Sequence, residues 1–508
     1  MNVAAGIRRA VKAFSNQTAL RMENEQITYA GLEERANAVA AYLRSKGFRE
    51  GDKLGVYLPN CPDYLILLYA TWILGGVAVP LNYRFHGKSL RFVLEDAEIK
   101  WLVTTEGDIT RLKGLTDALR LLLLEKDLTH IYRQSAEEIP ICPKRDDEDA
   151  MLMYTSGTTG LPKGVRQTHR NNSSSVEMVI DAWDLTHKDH LLLPIPMFHV
   201  GGLQCSTLPT LFTGGTISFL PKWDAKAWLV ASRNEKVTWS GLVTTMLVDV
   251  ANYLKAHPEE KEPLSSYRFI VFGGSATPME IISFLERELG TPLIELYGQT
   301  ETTGLSITYC TGEKTLPGFM GRAMEQVIQA KVITPGEEHV ILPGMDETGF
   351  LYVKGDTVTP GYWKREDLNE KRLKDGWLKT GDLVQWDKNR YFRYVDRLDD
   401  MIISGGENVY PKEVENVLSQ HPKVLEVAVI GTPHPRWVQQ VTAVIVPGGV
   451  GVTVEEIQRF CHDRLPGYKC PKRIELLKAL PRTGSGKVDK RRLKEMFKED
   501  KDRRFSHI

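Results

Sequence analysis

Apolar and polar positions follow two rhythms along this chain. Short β-rich apolar runs at 53–58, 76–79 and 101–104 alternate with helical patterns at 64–74 and 88–95. The same alternation returns at 191–194, 215–220, 268–272 and 292–296, with amphipathic stretches between them. Strands spaced by helices in this way predict βαβ units and parallel sheets. The most apolar run, 64–80, is broken by Thr71, Gly75 and Gly76, so it predicts a buried helix, a glycine turn and a strand rather than a membrane span. After about residue 325, Gly and Pro crowd short strands such as 349–353, which predicts a smaller β-rich subdomain. A last change comes near Val395, followed by a helix at 411–419, strands at 424–430 and 442–446, and a helix at 454–465. The fold class expected is α/β: a large N-terminal domain, 1–395, of parallel-rich sheets plus the β-rich subdomain, then a small α+β C-terminal domain, 401–508.

Composition narrows the function classes. A chain of 508 residues needs more than one core. Its 65 basic residues balance 65 acidic ones, so no overall field would hold it on nucleic acid or an anionic membrane. Six scattered cysteines form no CxxC pair, which indicates neither a zinc site nor a disulfide framework and fits a reducing cytoplasm. The first fourteen residues carry Arg8, Arg9 and Lys12 without an acidic partner. They lack a secretory apolar core and read as an ordinary first helix rather than a targeting segment.

The densest chemical signal is Tyr154-Thr-Ser-Gly-Thr-Thr-Gly-Leu-Pro-Lys-Gly-Val165. Its amides, its hydroxyls at Thr155, Ser156, Thr158 and Thr159, and Lys163 can meet phosphate oxygens, because Gly157 and Gly160 permit close approach. Gly164 follows the lysine, so this is not the P-loop of nucleotide hydrolases. The string resembles the signature loop of the acyl-adenylate-forming superfamily. Further segments of that pattern follow in order: Pro194-Ile-Pro-Met-Phe-His-Val-Gly-Gly202, Phe272-Gly-Gly-Ser-Ala-Thr-Pro278, Tyr297-Gly-Gln-Thr-Glu301, Thr380-Gly-Asp382, Asp396-Arg-Leu-Asp-Asp400, Ile403-Ser-Gly-Gly-Glu-Asn-Val-Tyr-Pro411 and Pro481-Arg-Thr-Gly-Ser-Gly-Lys487.

The resemblance implies an acyl-CoA synthetase that uses ATP, Mg²⁺ and coenzyme A on a small carboxylic acid. It implies that Lys487 bridges acyl oxygen and α-phosphate, that Thr300 touches the α-phosphate, and that Glu301 holds the metal. His199 is implied to line the acid pocket. Adenine is expected against Tyr297 and Gly298, with Gly274, Ser275 and Ala276 alongside, and ribose on Asp382, placed in a turn, and Arg397. The family rotates its small domain between half-reactions, so 396–400 is the expected hinge, with Asp399 at its centre, and Gly405 and Gly406 would admit pantetheine.

Three rivals stay open: an adenylation enzyme loading a carrier protein, a luciferase-like oxidase and an inactive scaffold. The first is disfavoured because His199, not Asp, follows Phe198, and because little chain follows Lys487. Pocket neighbourhoods at 199–204, 271–274 and 295–306 are mostly small and apolar, which suits a fatty or aryl acid; 196–203 also looks like o-succinylbenzoate ligases. Gln299 stands where Met or Leu is frequent, and Trp437 is followed by Val438-Gln-Gln440 where Gly-Glu is usual. A homodimer is left open.

Overall fold

The computed structural model describes residues 2–115, 119–134, 137–155, 162–274, 277–336, 339–397, 400–404, 407–434, 436–448, 452–483 and 487–497. The chain forms two compact units, Met1–Ala330 with Val353–Leu378, and Lys331–Tyr352 with Lys379–Ile508.

The first unit holds two parallel-rich sheets. One runs in the order Arg120–Leu123, Trp101–Thr104, Lys53–Val56, Val77–Pro80, Asp149–Thr155, all parallel, and closes with the antiparallel Lys163–Thr168. The apolar run behaves as its sequence predicts: Pro62–Ile73 is a helix with proline in its first turn, buried on nearly every side, and Val77–Pro80 is a strand. The Trp72 indole donates to the Ala150 carbonyl at 2.8 Å and fastens that helix to the sheet.

The second sheet has nine strands. Its centre is parallel, in the order Leu293–Gln299, Phe269–Gly273, Trp239–Val243, His190–Leu193, Thr216–Phe219, Thr18–Met22. Antiparallel Gly304–Thr308 and Arg322–Ala323 extend one edge, and Glu25–Thr28 closes the other. Trp228, Leu247, Leu254, Leu285 and Leu289 from the helices Ala225–Asn234, Thr244–Ala256 and Met279–Leu289 are buried against this sheet. Apolar burial of this kind contributes about 25 cal/mol per Å². A further sheet gathers Ile328–Ile333, Val340–Ile341, Gly349–Gly355, Leu373–Lys374, Trp377–Trp386 and Phe392–Arg397, the β-rich region expected after residue 325.

In the second unit the long hairpin Val424–His434/Val438–Pro447 dominates. Ile402–Ser404 and Arg473–Leu476, the latter a strand not anticipated from sequence, both pair with Val438–Pro447, the first antiparallel at Val438 and the second parallel over Thr442–Ile445. Helices Pro411–Leu418 and Val454–His462 send Val414, Leu418, Ile457 and Cys461 into one core; Leu480 and Leu493 close a second against Ala428, Ile430 and Val444. Val438 turns the hairpin with φ 66°, and the Gln439 amide donates to the Trp437 carbonyl at 2.7 Å. A left-handed β-branched residue is strained, and here it occupies the place where glycine is usual.

One expectation is corrected. Thr380-Gly381-Asp382 lies inside the ten-residue strand Trp377–Trp386, not in a turn. Gly381 adopts φ 81° within the strand, so the residue that reads as a turn signal bends a continuing ladder.

Candidate active site

Three parallel strands of the nine-stranded sheet, His190–Leu193, Phe269–Gly273 and Leu293–Gln299, end at the segments singled out from sequence. The carboxyl ends of such strands are the ordinary ligand position in α/β sheets.

After His190–Leu193 the chain turns through 194–202. Asn60 holds this turn from both sides: its amide donates to the Ile195 carbonyl and its oxygen accepts from the Met197 N–H, each at 2.9 Å. Beyond it, Phe198 is buried with its ring edge-to-face on Tyr83 at 5.4 Å, and His199 lies 4.4 Å from Phe198. The chain continues into a π-helical turn, Leu203–Thr207. Gly274 follows Phe269–Gly273 at φ 89°.

On the third strand, Tyr297 is buried and Gly298 sits at a bulge against Gly304–Thr308. A β-carbon on Gly298 would stand 1.7 Å from the Gly304 carbonyl oxygen, so only glycine fits. The strand ends in the short 3₁₀ turn Thr300–Thr302. Its cap is Gln299, whose N–H donates to Thr302 Oγ1 at 3.0 Å. The Gln299 amide also donates to the Tyr297 hydroxyl at 3.3 Å, which turns this unusual residue toward Tyr297.

Glu301 is fixed at two levels. Its carbonyl accepts from the Thr359 N–H at 2.8 Å, and its Oε1 accepts from the Tyr362 hydroxyl at 2.8 Å. Burial, with Glu301 next in weight, pushes the Tyr362 phenol far above its usual range, so it stays a donor. Among the described residues no group of three or more His, Cys, Asp or Glu side chains could hold a metal ion. One carboxylate suits Mg²⁺, which commonly takes one or two from protein and the rest from phosphate and water. The Thr300 carbonyl accepts from Gln167 Nε2 at 3.0 Å, and Gln167 belongs to Lys163–Thr168, the strand that leaves the signature loop.

In the second unit, Asp382 and Arg397 are register partners on adjacent strands. Arg397 Nε donates to Asp382 Oδ1 at 2.7 Å; the carboxylate is 2% exposed and the guanidinium 46%. Next to it, Asp396 accepts from the Arg397 and Lys412 N–H groups, and burial pushes its carboxyl up to about 6. Lys487 is exposed, one residue before Val488 of the Arg482–Val488 bridge, and its carbonyl accepts from the Thr483 N–H at 2.7 Å.

The structure therefore brings Thr300, Glu301, Tyr297 and Gly298 together, and separately Asp382 with Arg397. Thr155 and Lys163 flank the signature loop at the ends of paired strands. Ser156, Gly157, Thr158, Thr159, Gly160, Ser275, Ala276, Asp399, Gly405 and Gly406 lie outside the described residues. Asn60, Gln167 and Tyr362 were not singled out from sequence; Gln204 was included only as the end of the pocket neighbourhood 199–204.

Residues 7–363 match the model of the AMP-binding enzyme family, and 413–487 match that of the AMP-binding enzyme C-terminal domain. A feruloyl-CoA synthase of Amycolatopsis sp is 36% identical, over 97% of this chain and 98% of its own length. A 2-succinylbenzoate–CoA ligase of Bacillus cereus is 35% identical, over 95% and 96%. Among solved structures, the o-succinylbenzoate CoA synthetase of Bacillus subtilis with its acyl-adenylate superposes with TM-score 0.86 at 31% identity, covering 96% and 97%. The same enzyme with ATP and magnesium gives 0.84 at 31%, covering 97% and 98%.

Proposed function

The chain belongs to the AMP-binding enzyme family and is an AMP-forming acid–thiol ligase, and from that premise we propose that its acid is an aryl acid and its thiol coenzyme A. The observation that carries the aryl reading is the run of rings Tyr83, Phe198 and His199 beside the turn that follows His190–Leu193. Edge-to-face and offset ring contacts favour a flat aromatic guest over a flexible chain. The two curated relatives are named for aromatic acids, which supports the same choice.

Chemistry then assigns the roles. The acid's carboxylate attacks the α-phosphorus of ATP and pyrophosphate leaves; the thiolate next attacks the acyl carbon and AMP leaves. Glu301 would hold Mg²⁺, which supplies charge neutralisation on the phosphates. Thr300, with the loop 155–160 and Lys163, would engage phosphate oxygens. Tyr297, Gly298 and the 274–276 segment would take adenine; Asp382 and Arg397 would take ribose. Lys487 would stabilise charge as the adenylate forms. The C-terminal domain would turn at 396–400, about Asp399, and Gly405 and Gly406 would admit the pantetheine arm in the second step.

Thioester formation from ferulate, benzoate, 2-succinylbenzoate and straight-chain acids of graded length tests the acid. Aryl acids are expected to lead in kcat/KM; a preference for the long straight chains would overturn the aryl reading. For the mechanism, Lys487→Ala is expected to slow adenylation by about 10²–10³-fold while thiolysis of a supplied acyl-adenylate persists. Equal loss of both half-reactions would count against it.

A further inference from the structure

Three side-chain amides, Gln167, Asn172 and Gln204, are fully buried beneath the Thr300–Glu301 turn. Buried amides cost free energy unless their hydrogen bonds are met, so their orientations are constrained. Gln167 Nε2 donates to the Thr300 carbonyl, which can only accept, so Gln167 Oε1 must face the other way. It faces Gln204 Nε2 at 2.7 Å. Asn172 Nδ2 donates to the Thr168 carbonyl at 2.9 Å, which turns Asn172 Oδ1 toward the same nitrogen at 3.1 Å. Two acceptors therefore converge on the two hydrogens of one NH₂ group. The direction of every amide follows from two backbone carbonyls, and Gln204 admits one orientation.

That orientation has a cost. Gln204 Oε1 is buried with no hydrogen-bond partner among the described residues, a condition usually worth about 1–3 kcal/mol against folding. An apolar residue at 204 would remove that orphan, but it would leave Gln167 Oε1 and Asn172 Oδ1 buried without the NH₂ group they share, beside Met151 and Met153, whose sulfurs lie 3.3 and 3.4 Å from Nε2. The burial energetics of these amides do not by themselves show what the network serves.

Connectivity does. Gln204 lies in the π-helical turn Leu203–Thr207 that continues from Phe198 and His199, Gln167 in the strand leaving the signature loop, and Thr300 beside the carboxylate assigned to Mg²⁺. We infer that Gln204 and Gln167 are positioning residues for adenylation: a buried amide relay that sets Thr300 and Glu301 relative to the acid-binding turn. The inference rests on the proposed roles of Thr300 and Glu301. Neither glutamine is assigned contact with substrate.

The test uses the full chain with ferulate as acid, comparing Gln167→Met, Gln204→Met, the double variant, Gln167→Glu and Glu301→Gln. Pyrophosphate exchange is expected to fall about tenfold in kcat for each Met variant, with the KM for ferulate changed less than twofold. The double variant should lose no more than the worse single, because one chain of bonds is broken once or twice. Thiolysis of supplied feruloyl-adenylate should stay within twofold. Gln167→Glu provides the sharper readout. A buried carboxyl titrates high, and only its protonated form can donate to the Thr300 carbonyl, so adenylation should recover as pH falls and decline as pH rises, a limb absent from the unsubstituted enzyme.

Met variants within twofold of the parent in exchange, additive losses, equal loss of thiolysis, or a Gln167→Glu profile parallel to the parent would each overturn the relay. If the Met variants do not fold, the Gln167→Glu profile decides. Glu301→Gln separates the underlying reading: full exchange activity in that variant removes Glu301 from the metal role, whatever the glutamines do.

Discussion

The two carboxylates proposed for the nucleotide, Glu301 and Asp382, are partnered in opposite ways. Glu301 accepts from a phenol, Tyr362, which is neutral. Asp382 accepts from a guanidinium, Arg397, which is not. A neutral donor fixes geometry and leaves the negative charge to be spent on a cation. A cationic donor fixes geometry and cancels the charge, leaving oxygen lone pairs for hydroxyl groups. On the proposed roles, the same side-chain chemistry would serve a metal in one unit and a ribose in the other.

Glu301→Gln strikes this contrast hardest. It keeps an oxygen for Tyr362 and removes the charge, so adenylation is expected to fall about 10²–10³-fold, with a raised Mg²⁺ requirement in pyrophosphate exchange. An unchanged Mg²⁺ titration would break the comparison. Asp382→Asn comes next. Losing charge-assisted hydrogen bonds should cost about 10–100-fold in kcat/KM for ATP. The Mg²⁺ requirement should stay put, and discrimination against 2′- and 3′-deoxy ATP should shrink; equal discrimination in parent and variant would remove Asp382 from the ribose.

Smaller effects refine the picture. Tyr362→Phe leaves Glu301 charged but less fixed, for about 1 kcal/mol, or roughly fivefold in the half-saturating Mg²⁺ concentration. Val438→Gly, at a left-handed position of the hairpin, should relieve about 1 kcal/mol of strain and raise the melting temperature of the second unit by about 2–4 °C. No change in kcat is expected with saturating substrates, which makes it a control for the others.

Glu301, Asp382 and Arg397 could be singled out from sequence because each sits in a local string. The fifteen-residue spacing of Asp382 and Arg397 also matches what a hairpin brings into register. Tyr362, 61 positions from its partner, and Gln167, 133 positions from the Thr300 carbonyl, could not be singled out. Nothing local marks a tyrosine as the orienter of a distant carboxylate, or separates a relay glutamine from a solvated one. The alternation of strands and helices was legible because hydrophobic periodicity is local; the sheet order, which joins Thr18–Met22 to Thr216–Phe219, is not. Thr380-Gly381-Asp382 misled in the other direction, since glycine's freedom serves a bent strand as readily as a turn.

The crowding at Gly298 bears on how this enzyme could be redesigned. With the Gly304 carbonyl 1.7 Å from where a β-carbon would stand, the strands there cannot part for any side chain. A mutational library aimed at new acids would waste every codon placed at 298. Variation placed at Tyr83, Phe198 and His199, where the rings meet, would spare Gly298 and the Gln204 relay while altering what the frame accepts.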